Sequence, residues 1–107
     1  EMLKAFLPIL EPARKAGFQP RLGQDTLTLR HEKWDDAGMM RAVSIVAKVK
    51  TTREFRLVLE EGTTEKSTQK AAIMVSASGS ASALQASRMP ASKRLSQLWN
   101  QTRDRKK

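Results

Sequence analysis

The chain has no cysteine, no tyrosine, one histidine and only five aromatic residues among 107. Without cysteine there are no disulfides and no thiolate metal sites, which fits a cytoplasmic or other reducing compartment. A single histidine, His31, cannot build a His-based metal centre from this chain alone, and no cofactor is expected. No apolar run approaches the roughly 18 residues of a membrane span. The first residues also lack a basic stretch followed by an unbroken apolar one, so neither a membrane partner nor a secretory leader is expected.

Catalytic signatures are scarce too. The nucleophile motif GxSxG and the phosphate-cradling GxxxxGK[ST] and GxGxxG are all missing. His31 with Glu32 and Asp35 would serve as an acid–base set, but a solvent-facing residue at a strand end explains His31 more simply. Asp35 and Asp36 would suit a cation, and starting a turn accounts for them equally well. The expectation is a protein that is not an enzyme.

What the second part of the chain lacks is negative charge. Of the net charge of +9, residues 1–65 contribute eleven basic against ten acidic groups; residues 66–107 carry nine basic groups against Asp104 alone. One-sided charge of this kind selects for a polyanion. With 39% apolar residues, the chain can still bury one modest core.

Residues 2–16 place Leu3, Phe6, Leu7, Leu10 and Ala13 on one helical stripe, with Gly17 as a stop and Phe18 behind it. Pro8 and Pro12 imply a late start or a kink. QPRLGQD reads as a turn-rich link. TLTLRH alternates Leu27 and Leu29 with polar residues, the period of a half-buried strand. Residues 39–50 fit a strand with Val43, Ile45, Ala47 and Val49 inward; a helix there would be apolar almost all round. As a strand, they pair with Phe55, Leu57 and Leu59 through a three-residue turn, Thr51–Arg53. Lys50 then faces Glu54, and Lys48 faces Arg56. AAIMV, residues 71–75, reads as a covered strand. Residues 76–92, rich in Ser and Ala, form short helical turns or a flexible connection.

The last sixteen residues, SKRLSQLWNQTRDRKK, follow Pro90 and carry Leu95, Leu98 and Trp99 at i, i+3, i+4. Burying these three would contribute roughly 1.5–3 kcal/mol each, enough to hold a helix from about residue 91 to 102. The expected fold is α+β: an N-terminal helix, an antiparallel meander of three or four strands, and a C-terminal helix with a loose basic tail. Residues 1–78 form the helix and sheet. Residues 79–107 form the connection and amphipathic helix of the same single domain.

The expected function is a non-catalytic nucleic-acid-binding module that contacts DNA or RNA mainly through phosphates, alone or as an accessory part of a larger nucleic-acid-handling protein or complex. The candidate contacts are Arg41, Lys48, Lys50, Arg53 and Arg56 around the hairpin, and Arg88, Lys93, Arg94, Arg103, Arg105, Lys106 and Lys107 in the C-terminal part. Trp34 and Trp99 are candidates for base stacking or for the core. No RNP, GXXG or zinc-finger spacing is present. The alternative is a protein-interaction or assembly module, in which Leu95, Leu98 and Trp99 dock on a partner or a second copy.

Overall fold

The computed structural model describes residues 2–48, 53–62, 66, 68–76, 80–83 and 90–104. In chain order the elements are α1 (Met2–Lys15), β1 (Gln19–Leu22), β2 (Thr26–His31), α2 (Asp36–Val46), β3 (Phe55–Glu61), β4 (Thr68–Val75), β5 (Ala81–Ala83) and α3 (Pro90–Asp104). The five strands form one sheet in sequence order. Three of its strand pairs are antiparallel, and β2 with β3 is parallel. The fold is α+β with a helix at each end, but its sheet is mixed and five-stranded, not an antiparallel meander of three or four strands.

The correction turns on residues 39–50, where the expected strand is replaced by α2 through Val46; residues 49 and 50 lie outside the described residues. Asp35 starts the helix, its carboxylate accepting the Gly38 N–H at 2.7 Å. Met39, Ala42, Val43 and Val46 are buried at i, i+3, i+4, i+7. The β-branched residues cost such a helix a few tenths of a kcal/mol each, roughly, and burying the stripe outweighs that. Apolar residues surround most of α2 because α1 and α3 pack against it, with Met40 and Ile45 half-buried.

The pairing expected for 39–50 therefore does not form. Leu57 stands between Leu27 of β2 and Ile73 of β4, and Lys48 faces no strand residue. The inward faces of β2 and β3 nevertheless carry the residues their alternation indicated: Leu27, Leu29, Phe55, Leu57 and Leu59 are all buried. Two short strands were not expected. β1 occupies part of the presumed turn link, with Pro20 tolerated because the strand is at an edge. β5 occupies part of the Ser/Ala-rich connection.

α1 contains both prolines. Among its described side chains the buried ones are Phe6, Ile9 and Ala13, while Leu7 is 53% exposed and Leu10 half-buried, so over these residues the stripe is rotated from the expected one. Pro8 and Pro12 stand on the exposed side, where water can take the carbonyls they leave without a helical donor. The helix ends as anticipated. Gly17 has φ +97°, its N–H donates to Arg14 C=O, and Phe18 N–H donates to Ala13 C=O. This is the paired C-terminal closure that glycine permits.

All three helices cover one face of the sheet. Phe6 and Ile9 of α1, Val43 and Val46 of α2, and Leu95, Leu98 and Trp99 of α3 join the inward strand residues in one buried cluster. The rings of Phe6, Phe55 and Trp99 meet edge to face in series, at 5.1 and 6.2 Å. No described helix packs on the opposite face.

α3 also closes the sheet edge. Ala72 lies just beyond the β4–β5 pairing, and its N–H donates to the buried Ser92 Oγ at 2.9 Å. Asn100 accepts the Ala81 N–H at 3.1 Å and donates to Ala81 C=O at 3.0 Å. That side chain makes the two bonds an added strand would otherwise make.

Two stability outcomes follow from this packing. Trp99→Ala should cost about 3 kcal/mol or more in urea unfolding, as a core truncation does. Gly17→Ala should cost about 1–2 kcal/mol, because alanine resists the positive φ.

Candidate nucleic-acid interface

The parallel pair decides which basic residues meet. With β2 and β3 running the same way, α2 returns from the end of one strand to the start of the other. The C-terminus of α2, the start of β2 and the start of β3 therefore share one end of the molecule. β4 finishes there as well, with Val75 opposite Phe55. So does α3, whose Asn100 holds Ala81 opposite Val75. Lys48, Arg53 and Arg56 all lie toward this end and are exposed, Lys48 after α2 in the helix layer and Arg56 on the opposite face of the sheet.

The remaining candidates are dispersed. Arg41 is exposed on α2, on the outer surface of the helix layer. Lys93 and Arg94 are exposed near the start of α3, about 14 Å along the helix from Arg103 at 1.5 Å per residue. Arg103 falls in the last turn of α3. Lys50, Arg88, Arg105, Lys106 and Lys107 lie outside the described residues.

Local charges separate these cations further. Arg94 meets Asp36 at 3.3 Å, tying the starts of α3 and α2 together. Arg53 meets Asp25 at 3.9 Å, with both side chains more than half exposed, a geometry that contributes little in water. Arg41, Lys48, Arg56 and Lys93 form no ion pair among the described residues. Their positive charge is open to an incoming anion.

The sheet face away from the helices adds two arginines that sequence reasoning missed. Outward positions on β1 to β3 bring Arg21, Arg30 and Arg56 to this face, with Glu60 among them. Glu60 lies 3.7 Å from Arg21 and 3.6 Å from Arg30. The Arg30 Nε is buried and makes no hydrogen bond among the described residues, standing 3.6 Å from Glu60. Arg30 was legible as outward-facing from its place after Leu29, whereas Arg21 sits in a stretch read as a turn.

Neither tryptophan is a stacking platform. Trp34 and Trp99 are each 4% exposed. Trp34 stacks on Phe18 at 4.9 Å, donates its indole N–H to Glu60 C=O at 2.7 Å, and donates its backbone N–H to Glu61 at 2.9 Å. His31 packs edge-on to Phe18 and Trp34, and Asp35 caps α2. Among the described residues no group of three His, Cys, Asp or Glu side chains could hold a metal, and no helix is long and apolar enough to cross a membrane.

Beside Arg53 and Arg56, a cleft of about 520 Å³ opens between the starts of β2 and β3. Thr26 and Met74 also line it. Comparison with known proteins adds no relative: no family model, curated protein or solved structure matches the chain.

Because Lys48, Arg53 and Arg56 are exposed and outside the core, replacing each with alanine should change unfolding free energy by no more than about 0.5 kcal/mol. Chemical denaturation of the three single variants checks this, and a larger loss would mean that the residue holds the fold.

Proposed function

We propose that this chain is a non-catalytic module that binds DNA or RNA mainly through backbone phosphates. The observation that carries this reading is that the exposed Lys48, Arg53 and Arg56 lie toward the end where α3 terminates, and that in the sequence Arg105, Lys106 and Lys107 follow α3. Phosphate binding needs cations grouped on one surface, so that several counterions are released together. With both tryptophans buried, stacking contributes little, and binding tolerates most sequences. The sheet edges favour a partner that meets the end or the face instead of adding a strand. Pro20 removes an N–H from β1, and Asn100 occupies the backbone of Ala81 in β5. The assembly alternative has no such support, since Leu95, Leu98 and Trp99 are buried in the chain's own core.

A salt titration of binding to mixed-sequence DNA and RNA fragments tests the proposal. Affinity should fall steeply with salt, and the slope on duplex DNA should drop by about 0.9 for each phosphate contact removed. The triple variant K48A/R53A/R56A should therefore flatten the slope by roughly 2 to 3. Deleting residues 103–107 should flatten it further while the fold persists. Unchanged slopes in both variants would place any binding surface elsewhere on the molecule.

A further inference from the structure

The cleft beside the interface is not a simple basic pocket. It is lined by two carboxylates, Asp25 and Glu54, and two guanidinium groups, Arg53 and Arg56, with Gln24, Thr26, Phe55 and Met74 completing the wall. Its formal charge balances, so it has little long-range pull on a bare anion. What it offers instead is strong donors and strong acceptors side by side. The Arg56 N–H donates to Asp25 C=O at 2.8 Å, fixing the two starting strands relative to each other. The Asp25–Arg53 pair spans 3.9 Å between side chains more than half exposed, a geometry that contributes little in water. A volume of about 520 Å³ lies within the range of small-ligand pockets.

A ligand complementary to such a lining carries an anion at one end and hydrogen-bond donors at another. A nucleotide has both, in its phosphate and in an exocyclic amine. We infer that the cleft takes one nucleotide of the bound strand, with its phosphate on Arg53 and Arg56 and an amino-bearing base edge on Asp25 or Glu54. This deepens the nucleic-acid reading and rests on it. Carboxylates accept from the cytosine amine, whereas uracil presents a carbonyl at that position and offers only its N3–H, one donor in place of an amine. The polarisable thioether of half-buried Met74 suits the face of a base. The interface thus carries a mild preference for amino-bearing bases within an otherwise sequence-tolerant surface.

Cytidine monophosphate and uridine monophosphate differ at this point and share their phosphate and sugar. Titrated into the full chain and followed by amide chemical shifts, the cytidine nucleotide should perturb Thr26, Glu54 and Arg56. It should bind roughly fivefold tighter than the uridine nucleotide, the worth of one net hydrogen bond. Inorganic phosphate at the same concentration should perturb them far less. In a variant carrying Asp25→Asn and Glu54→Gln, both at exposed positions, the discrimination should disappear while the melting temperature is unchanged. Equal binding of the two nucleotides, or shifts clustered away from the cleft, would overturn the inference. If mixed strands keep their salt-dependent binding in that case, the interface reading stands and only the cleft's role is lost. Absence of both nucleotide and strand binding would remove the two together.

Discussion

Leu27, Leu29, Leu57 and Leu59 stand side by side on two neighbouring strands that run the same way. Parallel strands cannot be joined by a tight turn; the chain must cross over, and a helix is the compact way to do so. α2 is that crossover. Its buried stripe covers the sheet, and its return delivers Lys48 to the end where both strands begin. The place of α2 on the sheet, and of Lys48 at the end where both strands begin, follow from this one pairing.

The third helix then completes what the crossover leaves open. Its apolar stripe supplies Leu95, Leu98 and Trp99 to the core, and its polar positions satisfy the sheet's outer backbone. Ser92 and Asn100 are not decorations of a helix face. Each meets a backbone group that would otherwise stand without a partner, and buried groups of that kind are costly. One helix therefore contributes both apolar burial and edge protection. A domain of this length has few spare apolar groups, so such double use matters.

The cations follow a different logic from the core. Exposed charges experience weak packing constraints, and their location is inherited from the backbone that carries them. Arg30 and Arg94 meet carboxylates, whereas Lys48 and Arg56 do not among the described residues. At the end of the molecule Asp25 and Glu54 stand beside Arg53 and Arg56, and on the open sheet face Glu60 moderates two arginines. Charge that is already engaged binds a new anion less well, because the old partner must be displaced first.

Several features were legible in the residues alone, since their causes are local. Alternation placed Leu27, Leu29, Phe55, Leu57 and Leu59 inward; Gly17 with Phe18 marked the end of α1; and the Leu95, Leu98, Trp99 spacing marked an amphipathic helix that docks. Residues 39–46 were not legible in this way. Their apolar content satisfies the strand period and the helix period alike, and the choice depends on α1 and α3 packing on both sides. The turn-like context of Pro20 and the Ser/Ala content of the connection likewise concealed β1 and β5, which exist because a neighbouring strand supplies their hydrogen bonds. Periodicity along a chain specifies which side chains face inward, but not which strand lies beside another. Sequence by itself determined the inward faces of β2, β3 and α3 and the excess of positive charge. Tertiary structure decided the neighbours, and with them which cations stand together, because that grouping is set by the crossover and not by any spacing along the chain.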